Sequence, residues 1–265
     1  MKRLKILFVL LESVLFTLMV LFFLPLTQCK EHHFRLEDVL REFSSYPALS
    51  AKKQELPLQV AHTLEQPFYF FGEGEQFFVF LSKDRKSILK LFKKAEGRNY
   101  SQMFSGIDRI FHSAQDRSAL LYIHLHQEEN LPTICLIDRA CHRHKLLLGE
   151  TPFLIQQRGE PLFDRLKRAQ GNERLMKELI DEVILCFLEL CREGMRDTDN
   201  CTRRNLGFLD KRAVILDVGS LFFDPALQQK EEAKKEILHK TRRLGRWLKR
   251  RHPALYAYYL ERIQL

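Results

Sequence analysis

The chain has 265 residues, 45% hydrophobic and 29% charged, a balance that excludes a disordered polymer and leaves room for one two-lobed unit or two small domains. Lysine and arginine (43) exceed aspartate and glutamate (34) for a net charge of +9, which favours anionic partners: phosphates, an acidic membrane surface or nucleic acid. No RNP-type aromatic motif, zinc-finger spacing or internal repeat accompanies the charge, so nucleic acid is not expected as a partner.

Residues 1–29 stand apart. Lys2, Arg3 and Lys5 precede an apolar run from Ile6 to Leu26, close to the ~20 residues a helix needs to cross a bilayer. The span length favours a single-pass anchor. A cleaved signal peptide is the second reading, though its apolar core is usually shorter. Lipoprotein processing at Cys29, after Leu26-Thr27-Gln28, is the third. The leading charges put the N-terminus in the cytoplasm and the domain outside, while Lys30 and Arg35 pull the other way.

Residues 30–66 read as a linker with one short helix, from the near-helical spacing of Phe34, Val39, Leu40 and Phe43. Pro47 and Pro57 punctuate it, and His32 and His33 read as solvated residues without metal spacing.

Residues 67–158 form a β-rich segment. Phe68-Tyr69-Phe70-Phe71, Phe77-Phe78-Val79-Phe80 and Ile88-Leu89-Lys90-Leu91-Phe92 read as strands separated by Gly72-Glu73-Gly74 and a polar turn. Period-two alternation sets Lys90 on the same face as Ile88 and Phe92, and an ammonium there needs a partner. Either it grips a phosphate or it snorkels to water from an edge strand. Residues 95–130 read as helix, with Met103, Ile107, Ile110, Phe111, Ala119, Leu120, Ile123 and Leu125 in an amphipathic pattern broken near Ser113. Strands return over 131–158, and Gly159-Glu160-Pro161 suggests a hinge.

Residues 159–265 are mostly helical. Asn172 to Arg192 carries a wide apolar stripe, and Gly194 stops it. The next stretch, 194–225, packs Asp197, Asp199, Asn205, the strand Val214-Ile215-Leu216 and Asp217-Val218-Gly219 into one turn–strand–turn unit. Carboxylates and an amide at the ends of a buried strand suit Mg²⁺ with a nucleotide, because magnesium takes hard oxygen ligands including phosphate oxygens. Plain Asx and strand-terminal turns are the alternative. After Pro225 the chain is helical and basic. Over 238–252, Leu238, Leu244, Trp247 and Leu248 beside Arg242, Arg243, Arg246, Lys249 and Arg250 suit either contact with anionic lipid or an ordinary core face. The six cysteines include no CxxC and read mostly as small core residues or free thiols, with a Cys135–Cys141 disulfide as the alternative for an exported domain.

Taken in order, Gly72-x-Gly74, Lys90, Asp199…Asn205 and Asp217-x-Gly219 resemble the protein-kinase-like superfamily, including its aminoglycoside-phosphotransferase-like and lipopolysaccharide-kinase-like branch. The resemblance covers roughly residues 65–225. It implies an α+β, two-lobed protein-kinase-like fold with an antiparallel β N-lobe (67–158) over a mostly helical C-lobe (159–265), after an N-terminal transmembrane helix. It further implies ATP and Mg²⁺. Lys90 would grip phosphate, Gly72 and Gly74 would admit the phosphates to the backbone, and Asn205 and Asp217 would hold Mg²⁺.

The match departs from the family in five places. The family's H-R-D spacing would put the base at position 200, which is Asn200, so Asp199 is preferred and Asp197 is the second choice. Val218 stands for the usual Phe, and the glycine loop lacks its third glycine. Glu96 lies too near Lys90 in the chain to be its helix partner, which leaves Asp108 or Asp116. Only about 40 residues follow Pro225, which favours a small-molecule, lipid or glycan acceptor over a protein. The expectation is a membrane-anchored Mg-ATP-dependent phosphotransferase. The alternative is a pseudokinase-type binding module, which the exported orientation would favour because ATP is plentiful only inside.

Overall fold

The computed structural model describes residues 34–43, 55–127, 130–199 and 202–264. Of two compact units, Met1–Phe34 and Arg35–Leu265, the second carries the sheet, the helices and the cleft. The expected membrane helix over 1–29 lies outside the described residues, as do Cys29, His32, His33 and Asn200. Among the residues that are described, no helix is long and apolar enough to cross a membrane.

The linker departs from expectation. Leu36–Asp38 form a single 3-10 turn, and Leu40 donates its amide to Phe92 O at 2.8 Å, so this segment is held at the end of a strand and forms no longer helix. The helix of the region is α1 (Leu58–Leu64), which starts after Pro57.

The aromatic runs become β1 (Phe68–Glu73), β2 (Phe77–Ser82) and β3 (Ser87–Phe92), an antiparallel meander. Phe68 is buried while Tyr69 and Phe71 are exposed, as period-two alternation requires of a half-covered strand. β3 is buried at every position, since it lies inside the sheet with both faces covered.

Only half of the predicted helix over 95–130 forms. Helix α2 (Tyr100–Ser113) is capped by the Asn99 side chain, which accepts from Gln102 N at 3.0 Å. After a 3-10 turn at Gln115–Arg117 the chain extends into β4 (Leu120–His124). A short apolar run satisfies both periods, and pairing with β7 (Phe153–Gln157) decides it. Between them, β5 (Thr133–Ile137) and β6 (Arg143–Leu147) form a hairpin. The sheet order is β4-β7-β3-β2-β1-β5-β6. β5 runs parallel to β1, so the sheet is mixed and the wholly antiparallel N-lobe of the sequence reading is corrected. The added hairpin covers what would otherwise be the open edge of β1. Cys135 and Cys141 are free thiols.

The helical part follows: β8 (Glu160–Pro161), α3 (Leu162–Arg168), α4 (Glu173–Arg192), β9 (Met195–Asp197), α5 (Thr202–Asn205), β10 (Leu206–Leu209), β11 (Arg212–Ile215), β12 (Leu221–Phe223), α6 (Lys230–Arg251) and α7 (Pro253–Ile263). Asn172 caps α4 by accepting from Leu175 N at 3.0 Å, and Gly194 ends it with a φ of +66° that favours glycine. The buried stripe of α4 packs on α6 and α7. Cys186 and Cys191 sit in this core, where burial pushes their thiols up to about 12, as inert small residues.

Several contacts join the sheet region to the helical part, among them an ion-pair cluster and a close backbone approach. Buried Arg117 donates to Glu189 at 2.5 and 3.1 Å and to Glu182 at 3.0 Å, both on α4. Helix α2 lies so close to β12 that a Cβ on Gly106 would meet Leu221 O at 2.0 Å. The architecture is α+β: a curled mixed sheet followed by a helical part.

Candidate functional site

Lys90 lies on β3, cross-strand from Val79 on β2 and Leu154 on β7. It is 6% exposed, so its charge requires partners inside the protein. Its Nζ donates to Leu216 O at 2.8 Å and to Asp217 Oδ1 at 3.2 Å, and stands 5.1 Å from the centre of the Phe77 ring. Snorkelling from an edge strand is therefore not how Lys90 sits. Its acidic partner is also not on a helix. Asp108 faces His112 at 3.3 Å, Asp116 pairs with Arg212 at the surface, and Glu96 is exposed before α2.

Asp217 follows β11 and is crowded by protein on most sides, yet its side chain remains 40% accessible. Burial works against its ionisation, but the Lys90 charge and hydrogen bond outweigh it and hold the carboxyl below its ordinary value. Gly219 completes the Asp-x-Gly turn. A Cβ there would lie 2.6 Å from the Phe77 ring and 1.9 Å from Gln76 Oε1, so any larger residue would make these two side chains shift.

The Asp197–Asp199 segment leaves β9, which pairs with β12 so that Asp197 faces Leu221. Asp197 is committed to holding the turn. Its Oδ1 accepts from Ser220 Oγ at 2.5 Å and from Asp199 N at 2.8 Å, and its side chain is 9% exposed. Asp199 instead lines the cleft, and its Oδ2 accepts from Asn205 Nδ2 at 3.0 Å. Asn205 ends α5 and is 4% exposed. It precedes the β10–β11 hairpin, and its carbonyl accepts from Leu216 N at 2.7 Å, which ties it to the residue before Asp217.

Lys90, Asp199, Asn205 and Asp217 thus come together along one cleft of about 1170 Å³ between sheet and helical part, and Asp197 does not join them. Gly72 and Gly74 line its roof. Neither has a positive φ, and a Cβ on either would find nothing within 4 Å. Their contribution is a bare backbone over open space; no strained turn or tight contact requires them. Arg204, Gln76 and Gln156 also line the cleft and escaped the sequence reading, since the short helix, loop and strand that carry them have no motif at these positions.

The donor set fits a hard cation: Asn205 supplies an amide oxygen and Asp217 a carboxylate, and the Lys90 and Gly219 contacts of Asp217 both fall on Oδ1. Among the described residues no three His, Cys, Asp or Glu side chains form a metal-holding group. The chain matches no protein-family model and no curated protein.

Proposed function

We propose that this protein is a kinase-like, Mg-ATP-dependent phosphotransferase acting on a hydroxyl of a small molecule, lipid or glycan, anchored to the membrane through residues 1–29. One observation carries the reading: Lys90 and, from a second and distant stretch of chain, Asp199, Asn205 and Asp217 line a single cleft beneath the Gly72-x-Gly74 turn. Lys90 on the third strand grips phosphate, and its contact with Asp217 keeps it extended toward the cleft floor before nucleotide arrives. Asn205 and Asp217 would hold magnesium, which supplies charge neutralisation to the transferring phosphoryl group. Asp199 accepts the proton of the acceptor hydroxyl as its oxygen attacks the γ-phosphorus. The new P–O bond forms as the bond to the ADP oxygen breaks, and most of the catalysis is positioning.

A second reading, a pseudokinase-type binding module, is favoured by one feature. Asp199 and Asn205 are six residues apart where the family spacing is five, and Asp199 is hydrogen-bonded to Asn205. Mg-ATP titration of the full chain by thermal shift tests the parent proposal. At about 100-fold over Kd, nucleotide stabilises by ~2.7 kcal/mol. Asp217→Ala is expected to abolish the magnesium dependence of that shift. No shift at millimolar Mg-ATP would sink both the enzyme and any nucleotide-binding form of the module.

The basic helix α6 supports contact with anionic lipid mainly through charge, with Leu238 the apolar residue of the set that is exposed. Leu244 and Leu248 are buried and Trp247 packs on Phe163 and His252, while Arg242, Arg246, Lys249 and Arg250 are exposed.

A further inference from the structure

We propose that Lys240, on the C-terminal helix α6, is a positioning residue that clamps the Asp197–Asp199 segment from behind and so presents Asp199 to the cleft. The inference rests on the phosphotransferase reading of that segment. It concerns a residue beyond the stretch of chain in which the motifs occur.

The helical period places Lys240 on the buried stripe of α6, with Ile237, Thr241, Leu244 and Leu248. An apolar residue would pack there at no electrostatic cost, yet the position holds a lysine that is 3% exposed. Nζ donates to two carbonyls of one short segment and pairs with a carboxylate of the same segment. Nζ lies 2.5 Å from Asp197 O, 2.8 Å from Asp199 O and 3.4 Å from Asp197 Oδ2. The two carbonyls flank Thr198, so the backbone on both sides of that residue is turned toward α6.

The clamp is itself held. Glu236, one turn earlier on α6, lies 4.0 Å from Lys240 Nζ and accepts from Arg196 Nη1 at 3.1 Å. Arg196 also donates to Asp224 at 2.7 Å. Alternating charges therefore run from Asp224 through Arg196 and Glu236 to Lys240 and Asp197, each fixing the next. On the opposite side of the same segment, Thr198 N donates to Ser220 O at 3.1 Å and Asn205 holds the Asp199 carboxylate. Lys240 is the cation that closes this frame from the C-terminal side. A general base must reach its proton within hydrogen-bond distance, so a segment free to turn by one peptide loses that reach.

The test uses Lys240→Met and Lys240→Arg in the full chain, with two readouts. The first is amide hydrogen exchange at Thr198 and Asp199 against the amides of β3. The second is hydrolysis of Mg-ATP, with water in place of the acceptor hydroxyl, read as phosphate release and separated into kcat and KM. Lys240→Met is expected to speed exchange at Thr198 and Asp199 at least tenfold while β3 stays as in the wild type. It should lower kcat at least tenfold with KM for Mg-ATP within twofold. Lys240→Arg, which keeps the charge and the donors, should recover a substantial part of both. Exchange that rises no more at Thr198 and Asp199 than in β3 would overturn the clamp, as would a raised KM at unchanged kcat. If Lys240→Met does not fold, Lys240→Gln, which retains one donor, takes its place with the same two criteria and an intermediate effect. Absence of any Mg-ATP binding by the wild type would reject the phosphotransferase reading, and the exchange readout would still decide the clamp.

Discussion

Lys90 and Lys240 are both buried, both donate to backbone carbonyls and both approach an aspartate carboxylate, yet they stand on opposite sides of the cleft floor. Lys90 lines the open cleft, and its partner Asp217 keeps 40% of its side chain accessible. Lys240 is sealed behind the Asp197–Asp199 segment, and its partner Asp197 is 9% exposed. The same chemistry therefore serves two ends. A cation whose partner can be reached from solvent is available to exchange that partner for a phosphate. A cation whose acceptors are all internal can only hold shape.

The largest expected effect separates the two sides of the floor by activity. Asp199→Ala should reduce phosphate release by roughly 10²–10⁴-fold while sparing Mg-ATP binding, the loss typical of a removed proton acceptor. Turnover that survives in Asp199→Ala and vanishes in Asp197→Ala would reverse the assignment, since Asp197 is committed to Ser220, Asp199 N and Lys240.

Stability gives the next contrast. Lys240→Met should destabilise by about 3 kcal/mol in urea unfolding, because two carbonyls and a nearly buried carboxylate lose their donor together. Lys90→Met should cost no more than about 1 kcal/mol, because Asp217 can hydrate through the cleft and the new side chain suits the strand interior. Equal costs would remove the distinction between front and back. Mg-ATP should still stabilise Lys240→Met, and should stabilise Lys90→Met far less than the wild type.

The smallest effect is in acid. The folded-state value of Asp217 lies below its ordinary 3.8, so the folded protein binds fewer protons there than the unfolded chain. Its contribution is complete above that ordinary value and is lost as pH falls through the folded one. Asp217→Asn should flatten the acid limb of the stability curve below about pH 4, measured by urea midpoints between pH 2.5 and 5, and lower the neutral plateau by a constant amount without changing its slope. An unchanged acid limb would show that Lys90 does not hold the carboxylate ionised.

Much of this was legible beforehand where a residue's neighbours in sequence are also its neighbours in space. The aromatic strands, the apolar stripe from Asn172 to Arg192 with the Gly194 stop, and the odd placement of Lys90 among apolar residues all follow from local period and backbone preference. Where two periods fitted equally, sequence misled. Leu120 and Ile123 suit a helix until β7 offers them a ladder. The choice between Asp197 and Asp199 was open for a related reason, because their difference lies in Ser220 and Lys240, 23 and 43 residues away from Asp197. Lys240 did leave a trace, a lysine on the apolar stripe of a basic helix, but the surrounding cations hid it.

By itself the sequence determined the alternation of strands and helices and the set of acids, amide and lysine at their ends, since these depend on side-chain period, caps and turns. Tertiary structure decided which of them face one another: that Lys90 takes Asp217 and no helix acid, that Asp199 lines the cleft while Asp197 is locked behind it, and that a helix beyond the motifs supports the segment. Those outcomes depend on burial. An ion pair or a carbonyl contact forms between distant residues only when packing removes water from both, and no local rule of sequence carries that information.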